Sequence, residues 1–124
     1  MMKLFRAILF VQSGYYILSG LWPIVDITSF MLVTGPKTDV WLVKTVGAVL
    51  LPVSCALASF LWFDSDRRPA IILGAGSATA FGIIDFYYAL TDVISDVYLV
   101  DGVVQAIFLV SWALVFGHSA RCVP

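Results

Sequence analysis

Val97–Gly117, VYLVDGVVQAIFLVSWALVFG, is the stretch that decides the fold class. It carries one ionisable side chain, Asp101. Its length meets the roughly 20 apolar residues that a helix needs to cross ~30 Å of hydrocarbon. Working back along the chain, three more stretches have this character. They are Ala70–Leu90, opened by Pro69 in a position suited to a first helical turn, Val40–Phe63, and Leu4–Trp22, stopped by Pro23. Helices are the expected form, because lipid offers no partner to an open backbone. The strands of a membrane barrel would alternate polar and apolar residues, and these runs do not. The sequence therefore predicts an all-α, integral membrane four-helix bundle. It is one domain, with spans at about 4–22, 40–63, 70–90 and 97–117.

Composition agrees. Of 124 residues, 61% are apolar and 12% charged, where a soluble domain carries about 25% charged residues to solvate its outside. The net charge of −1 gives no reason to expect nucleic acid as a partner. Lys3 and Arg6 before Ala7-Ile8-Leu9-Phe10-Val11 imitate a signal peptide. The apolar run continues through Tyr15, Tyr16, Ile17 and Leu18 without a small-x-small cleavage site, so it reads as a retained span. Cys55 and Cys122 have no metal-ligand or redox spacing, and read as a packed small residue and a tail thiol. His118 is the only histidine, which excludes a bis-His haem within one chain. No metal and no cofactor is expected.

The connections set the topology. Asp64-Ser65-Asp66-Arg67-Arg68 and Thr91–Asp96 are short and polar, so the second and third spans, and the third and fourth, should be antiparallel neighbours. Between the first two spans, Ile27–Val33 can form a short interfacial helix, capped by Asp26 and ended at Gly35-Pro36. Thr38 or Asp39 can cap the second span, and Ser95 or Asp96 the fourth. Lys3, Arg6, Arg67, Arg68 and Arg121 fall on one side, with only Lys37 in a loop on the other. The positive-inside rule then makes both termini cytoplasmic in a multi-pass cell-membrane protein. Gly74, Ala78 and Gly82 repeat every four residues, which allows close helix packing within the bundle or in a homodimer.

Three ionisable groups lie inside the spans: Lys44, Asp85 and Asp101. Each costs roughly 2.5–3.5 kcal/mol at mid-membrane, so each needs a partner or a function. Counted at 1.5 Å per residue from the outer helix ends, all three lie ~6–8 Å deep. Three helices thus place charges in one layer. Gln105 lies one turn below Asp101, with Tyr98 above it on the same face. Tyr88 shares a face with Asp85, and Trp41 with Lys44. Gln12 and Tyr15 or Tyr16 reach a similar level from the first span. Pro52 should kink the second span and free the carbonyl of Ala48.

The layer predicts a polar, aromatic-rimmed, outward-open cavity. Asp85 and Asp101 would be the catalytic acid and base, with Lys44 tuning their charge. Gln105, Tyr88, Tyr98, Trp41, Gln12 and Tyr16 would contact the substrate. Such a site suits isomerisation, cyclisation or ring opening of an apolar, lipid-like small molecule drawn from the bilayer. Other readings stay open. Lys44 can snorkel to the headgroups, the carboxylates can fix helix packing without catalysis, and the outer aromatics can be an interfacial belt. The chain would then be an accessory or interaction subunit of a membrane complex, or a small transporter acting as a dimer.

Gly35-Pro36-Lys37-Thr38-Asp39 followed by Trp41-Leu42-Val43-Lys44-Thr45-Val46-Gly47 resembles a signature of small four-helix bacterial membrane proteins of the DoxX-like kind. Ile84-Asp85 with Tyr87-Tyr88, and Tyr98-Leu99 with Asp101, resemble the later part of the same pattern. This resemblance implies the four-helix fold and says little about activity. A more distant likeness is to membrane isomerases with the EXPERA fold, whose members place acidic residues inside a helical bundle. This chain departs from them in having no Glu or His in its membrane core.

Overall fold

Pro23 does not end the first helix. In the computed structural model, which describes residues 2–63 and 66–122 with side chains as far as His118, α1 runs Met2–Val25 through the proline. A proline removes one donor and disturbs the turn before it. The Asp26 N–H nevertheless reaches the Trp22 carbonyl at 2.9 Å, so the last turn closes beyond the ring. Four more helices follow: α2 Ile27–Thr34, α3 Val40–Ser59, α4 Arg68–Leu90 and α5 Val97–Cys122. Among the described residues there is no strand. Four of the helices, α1, α3, α4 and α5, are long and apolar enough to cross a membrane. Asp64, Ser65 and the side chains of Arg121 and Cys122, which entered the loop, charge and thiol readings above, lie outside the described part.

Local chemistry explains most boundaries. Asp26 caps α2 by accepting the Ser29 N–H at 3.2 Å. Gly35 closes it at φ +98°, with its own N–H on the Met31 carbonyl at 2.9 Å. That backbone angle suits glycine alone. Helix α3 stops four residues short of the expected Phe63. Leu61 and Trp62 bond back only three residues, to Ala58 and Ser59, which tightens the last turn. The helix is continuous through Pro52. After α4, Asp92 takes a left-handed φ of 61°. The N–H groups of Val93 and Asp92 then bond the carbonyls of Tyr88 at 2.8 Å and Ala89 at 3.2 Å, the paired bonds of a Schellman stop. Asp39 stands before α3 without a side-chain cap bond. The Ser95 hydroxyl accepts the Val97 N–H at 3.4 Å at the start of α5.

The helices pack as two close pairs. In the first, α1 crosses α3 at Gly20 and Gly47, where a Cβ built on Gly20 would lie 2.7 Å from the Gly47 carbonyl oxygen. In the second, α4 lies along α5. A Cβ on Gly74 would overlap the Trp112 ring, and one on Gly102 would meet Phe86 at 3.0 Å. The Gly74-Ala78-Gly82 stripe therefore packs inside the bundle, with Ala78 fully buried and Gly82 facing Gln105. The pairs join through α1 and α5, where Tyr15 and Tyr16 stack edge-on against Phe108. By contrast α3 and α4 touch far less than α4 and α5 do, despite their short link. A short loop fixes where two helix ends meet, but it cannot supply the small residues that let the helix bodies close.

Both ends carry charge, of opposite kinds. At one end Arg6 donates to the Leu61 carbonyl at 3.1 Å, and the Arg67 guanidinium lies 4.8 Å from the centre of the Phe5 ring. Arg68 pairs with Asp66 at 2.8 Å, and that bond holds the Asp66 carboxyl below its ordinary range. At the other end lie the α1–α2, α2–α3 and α4–α5 links, which carry Asp26, Asp39, Asp92 and Asp96. Between the ends the outward surface is apolar, with Phe10, Leu18, Ile72 and Val110 all exposed.

Candidate functional site

A cavity of about 600 Å³ lies between the two helix pairs, toward the acidic end. Helix α1 supplies Tyr15, Tyr16 and Ser19; α3 supplies Val43, Gly47 and Leu50; α4 supplies Phe81, Ile84 and Asp85; α5 supplies Tyr98, Asp101 and Gln105. Phe30, Val33 and Thr34 of α2 form its wall at the acidic end. The lining is mostly apolar. Its polar lining is the two carboxyl groups, the Tyr15, Tyr16 and Gln105 side chains of their hydrogen-bond chain, and Ser19, Trp22, Thr34 and Tyr98, so the cavity is less polar than the charged layer predicted. The volume sits inside the ~300–1,000 Å³ range of small-molecule sites.

Asp85 and Asp101 come together across the α4–α5 interface, within hydrogen-bonding reach of each other. Their surroundings differ. Asp101 accepts from two donors at Oδ1: the Tyr15 hydroxyl and the Gln105 amide at 3.3 Å. Asp85 is 4% exposed, and its Oδ2 is buried without a hydrogen-bond partner. A buried acceptor with no donor is costly, roughly 1–3 kcal/mol, and such atoms are rare enough in native folds to call for an explanation.

Behind Asp101 runs a chain of donors that all point the same way. Trp112 Nε1 donates to Gln12 Oε1 at 2.6 Å. Gln12 Nε2 donates to the Tyr16 hydroxyl at 3.0 Å and to the Gly74 carbonyl at 3.0 Å. Tyr16 donates to Gln105 Oε1 at 2.8 Å, and Gln105 then donates to Asp101. Aligned bonds in a low-dielectric interior polarise one another, so this chain concentrates donor strength on the Asp101 carboxylate. Three helices, α1, α4 and α5, are tied by it.

The structure brings together Asp85, Asp101, Gln105, Tyr16 and Tyr98 at the cavity wall. Gln12 lies beneath it, fully buried in the donor chain. Lys44, Trp41 and Tyr88 are not brought there. Lys44 shares an exposed face of α3 with Thr45, Ala48 and Val49, and Trp41 and Tyr88 are exposed side chains outside the lining. Depth along a helix is readable from the sequence, but the angle around it is not, because a lipid-facing apolar side looks the same as a buried one.

The cation near the site is Lys37, which the sequence places in a loop. Its Nζ donates to the Thr34 carbonyl at 3.1 Å and the Gly35 carbonyl at 3.3 Å, and lies 5.0 Å from the centre of the Tyr98 ring. Lys37 thus ties the end of α2 to α5 beside the cavity. The sequence also gives too little weight to Trp112 and Tyr15. Trp112 sits deep in an apolar run, where only its indole N–H hints at a polar partner. Among the described residues no cluster of His, Cys, Asp or Glu could hold a metal ion. Comparison of the chain with protein-family models, with curated proteins and with solved structures finds no match.

Proposed function

We propose that the chain is a small multi-pass membrane enzyme that carries out acid/base chemistry on an apolar, lipid-like substrate held in the cavity. The observation that supports it is the unequal pair of carboxyl groups: Asp101 with two donors, Asp85 with a buried oxygen that has none. A carboxyl group surrounded by donors suits a base. One without a donor is satisfied when it carries the proton itself, which suits an acid. Asp85 would give a proton to the substrate and Asp101 would take one from another carbon or hydroxyl. Transfer between the adjacent carboxyls would then reset the site. Isomerisation, cyclisation and opening of a strained ring all share this demand, and acid/base assistance contributes about 10²–10⁴-fold.

The test works with a mixture of candidate substrates. Proteoliposomes holding the protein are incubated with a bacterial lipid extract in D₂O, and the extract is searched by mass spectrometry for a species that gains deuterium at carbon or shifts in retention. The wild-type chain should convert one species, and Asp85→Asn and Asp101→Asn should each lower its rate by about 10²-fold or more. Equal conversion by both variants would sink the reading.

The donor chain that ends on Asp101 also favours a second reading, in which the carboxyls fix helix packing in a non-catalytic subunit of a membrane complex. In that case the Asn substitutions lower thermal stability and no lipid species changes. For orientation we propose that the arginine- and lysine-rich end, with both termini, faces the cytoplasm, so that the cavity lies in the outer half of the cell membrane.

A further inference from the structure

The cavity holds acid without base. Asp85 and Asp101 both stand in its wall, and no lysine, arginine or histidine does. Among the described residues the one ion pair joins Arg68 to Asp66, at the opposite end of the bundle. Lys44 is on the exposed face of α3. Lys37 is held by the Thr34 and Gly35 carbonyls and pairs with neither carboxyl group.

The two carboxyl groups meet the cavity differently. Asp85 Oδ2 is sealed from it, and is the oxygen given the proton above. Asp101 then carries the single negative charge of the pair. Its Oδ1 takes the Tyr15 and Gln105 hydrogens. Its Oδ2 accepts from no described residue and, unlike Asp85 Oδ2, is not closed to the cavity. A desolvated charge without a counter-charge is costly. An anion beside it would add repulsion, and an uncharged molecule would leave it uncompensated. A single positive charge balances it.

The rest of the wall sets the body of that cation. Tyr15, Tyr16, Trp22, Phe30, Phe81 and Tyr98 all line the cavity. Aromatic rings attract organic cations, and the Tyr98 ring already has the Lys37 ammonium 5.0 Å from its centre. A metal ion would want several oxygen ligands, and among the described residues no cluster of His, Cys, Asp or Glu supplies them. A volume of about 600 Å³ with a mostly apolar lining suits an organic molecule instead.

We infer that the cavity takes a lipophilic organic cation, with one ammonium group against Asp101 Oδ2 and an apolar body among the aromatic side chains. This rests on the proposal above that the cavity is a ligand site with its proton on Asp85, and it names the charge of the occupant.

The test uses the full chain in phosphatidylcholine nanodiscs and four radiolabelled probes built on one apolar cage. They are adamantylamine, which is protonated at neutral pH, adamantyltrimethylammonium, adamantanol and adamantane carboxylic acid. Equilibrium dialysis measures binding, and empty nanodiscs give the partition into lipid that is subtracted. Both cations should bind saturably and about tenfold or more tighter than the alcohol, as expected when a desolvated charge gains its partner. The acid should show no saturable binding. Asp101→Asn should remove the preference for cations while leaving binding of the alcohol in place, which a merely misfolded variant would not do. Asp101→Glu and Asp85→Asn, which both keep one negative charge in the wall, should retain the preference. The comparison of the four probes on the wild-type chain stands even if a variant fails to fold. Equal binding of amine and alcohol, tighter binding of the acid, or a preference for cations that survives Asp101→Asn would overturn the inference. Cation-selective binding without any deuterium transfer to a lipid would instead remove the catalytic reading and leave this one standing.

Discussion

Tyr16 donates its phenolic hydrogen to Oε1 of Gln105 at 2.8 Å, and this one bond connects the buried glutamine of α1 to the aspartate of α5. Everything upstream of it, from Trp112 through Gln12, reaches Asp101 only through this contact. Removing it leaves the Gln12 amide and the Gln105 carbonyl each short of a partner.

Tyr16→Phe should therefore destabilise the protein by about 1–3 kcal/mol, the range for a buried polar group left unsatisfied. Gln12→Leu should cost more, because it strands the buried Trp112 indole N–H and removes the donor to the Tyr16 hydroxyl together. Thermal unfolding in detergent, followed by circular dichroism, measures both. Because the groups act in one chain, Tyr16→Phe combined with Gln105→Leu should cost less than the two single changes summed.

The close pairing of α1 with α3 and of α4 with α5 makes a second set of outcomes specific. Gly20→Ala, Gly47→Ala and Gly74→Ala each place a methyl against backbone or an indole ring, and should cost about 1–3 kcal/mol through overpacking. Gly14→Ala and Gly76→Ala meet nothing within 4 Å. They should be neutral, or stabilising by up to about 1 kcal/mol through helix propensity. Melting temperatures of the five variants should fall into these two groups.

The two lysines should behave in opposite ways. Lys44→Gln, on the outward face of α3, should leave lipid conversion unchanged. Lys37→Met removes the donors that hold the Thr34 and Gly35 carbonyls, so α2 should open more readily, by about 0.5–1.5 kcal/mol per lost bond. Hydrogen exchange followed by mass spectrometry should show faster exchange across residues 27–35 in that variant alone. Unchanged exchange there would remove Lys37 as the tie.

Orientation has its own measurement. In a background carrying Cys55→Ser and Cys122→Ser, Thr38→Cys and Ser95→Cys should react with a membrane-impermeant maleimide in intact cells. Asp66→Cys, at the arginine-bearing end, should react only after the cells are permeabilised. The reverse pattern would invert the proposed topology.

Much of the fold is legible without coordinates. The four apolar runs, the Asp26-capped short helix ended at Gly35, and the return after α4 all follow from length, hydropathy and cap chemistry, which act locally along the chain. The shared depth of Asp85 and Asp101 also follows, because rise per residue converts sequence position into depth. Pro23 and Phe63 are not the helix ends that the sequence suggests. Helix bounds there depend on whether one more turn finds its bonds, and the bonds of Asp26 to Trp22 and of Leu61 to Ala58 decide that.

What only the tertiary structure decided is the angle around each helix. In a water-soluble protein the apolar face marks the inside, but a helix surrounded by lipid is apolar on all sides and gives no such mark. Lys44 and Asp85 therefore look equivalent in the sequence, at one depth and equally isolated. Packing turns Asp85 into the bundle beside Asp101 and leaves Lys44 outside. It does so through the glycine contacts, which set how each pair of helices rolls against its partner. The run Val97–Gly117 determined that a helix long and apolar enough to cross a membrane stands here. The contact of α5 with α1 and α4 determined that its one acidic residue faces a second carboxyl group at the wall of one cavity.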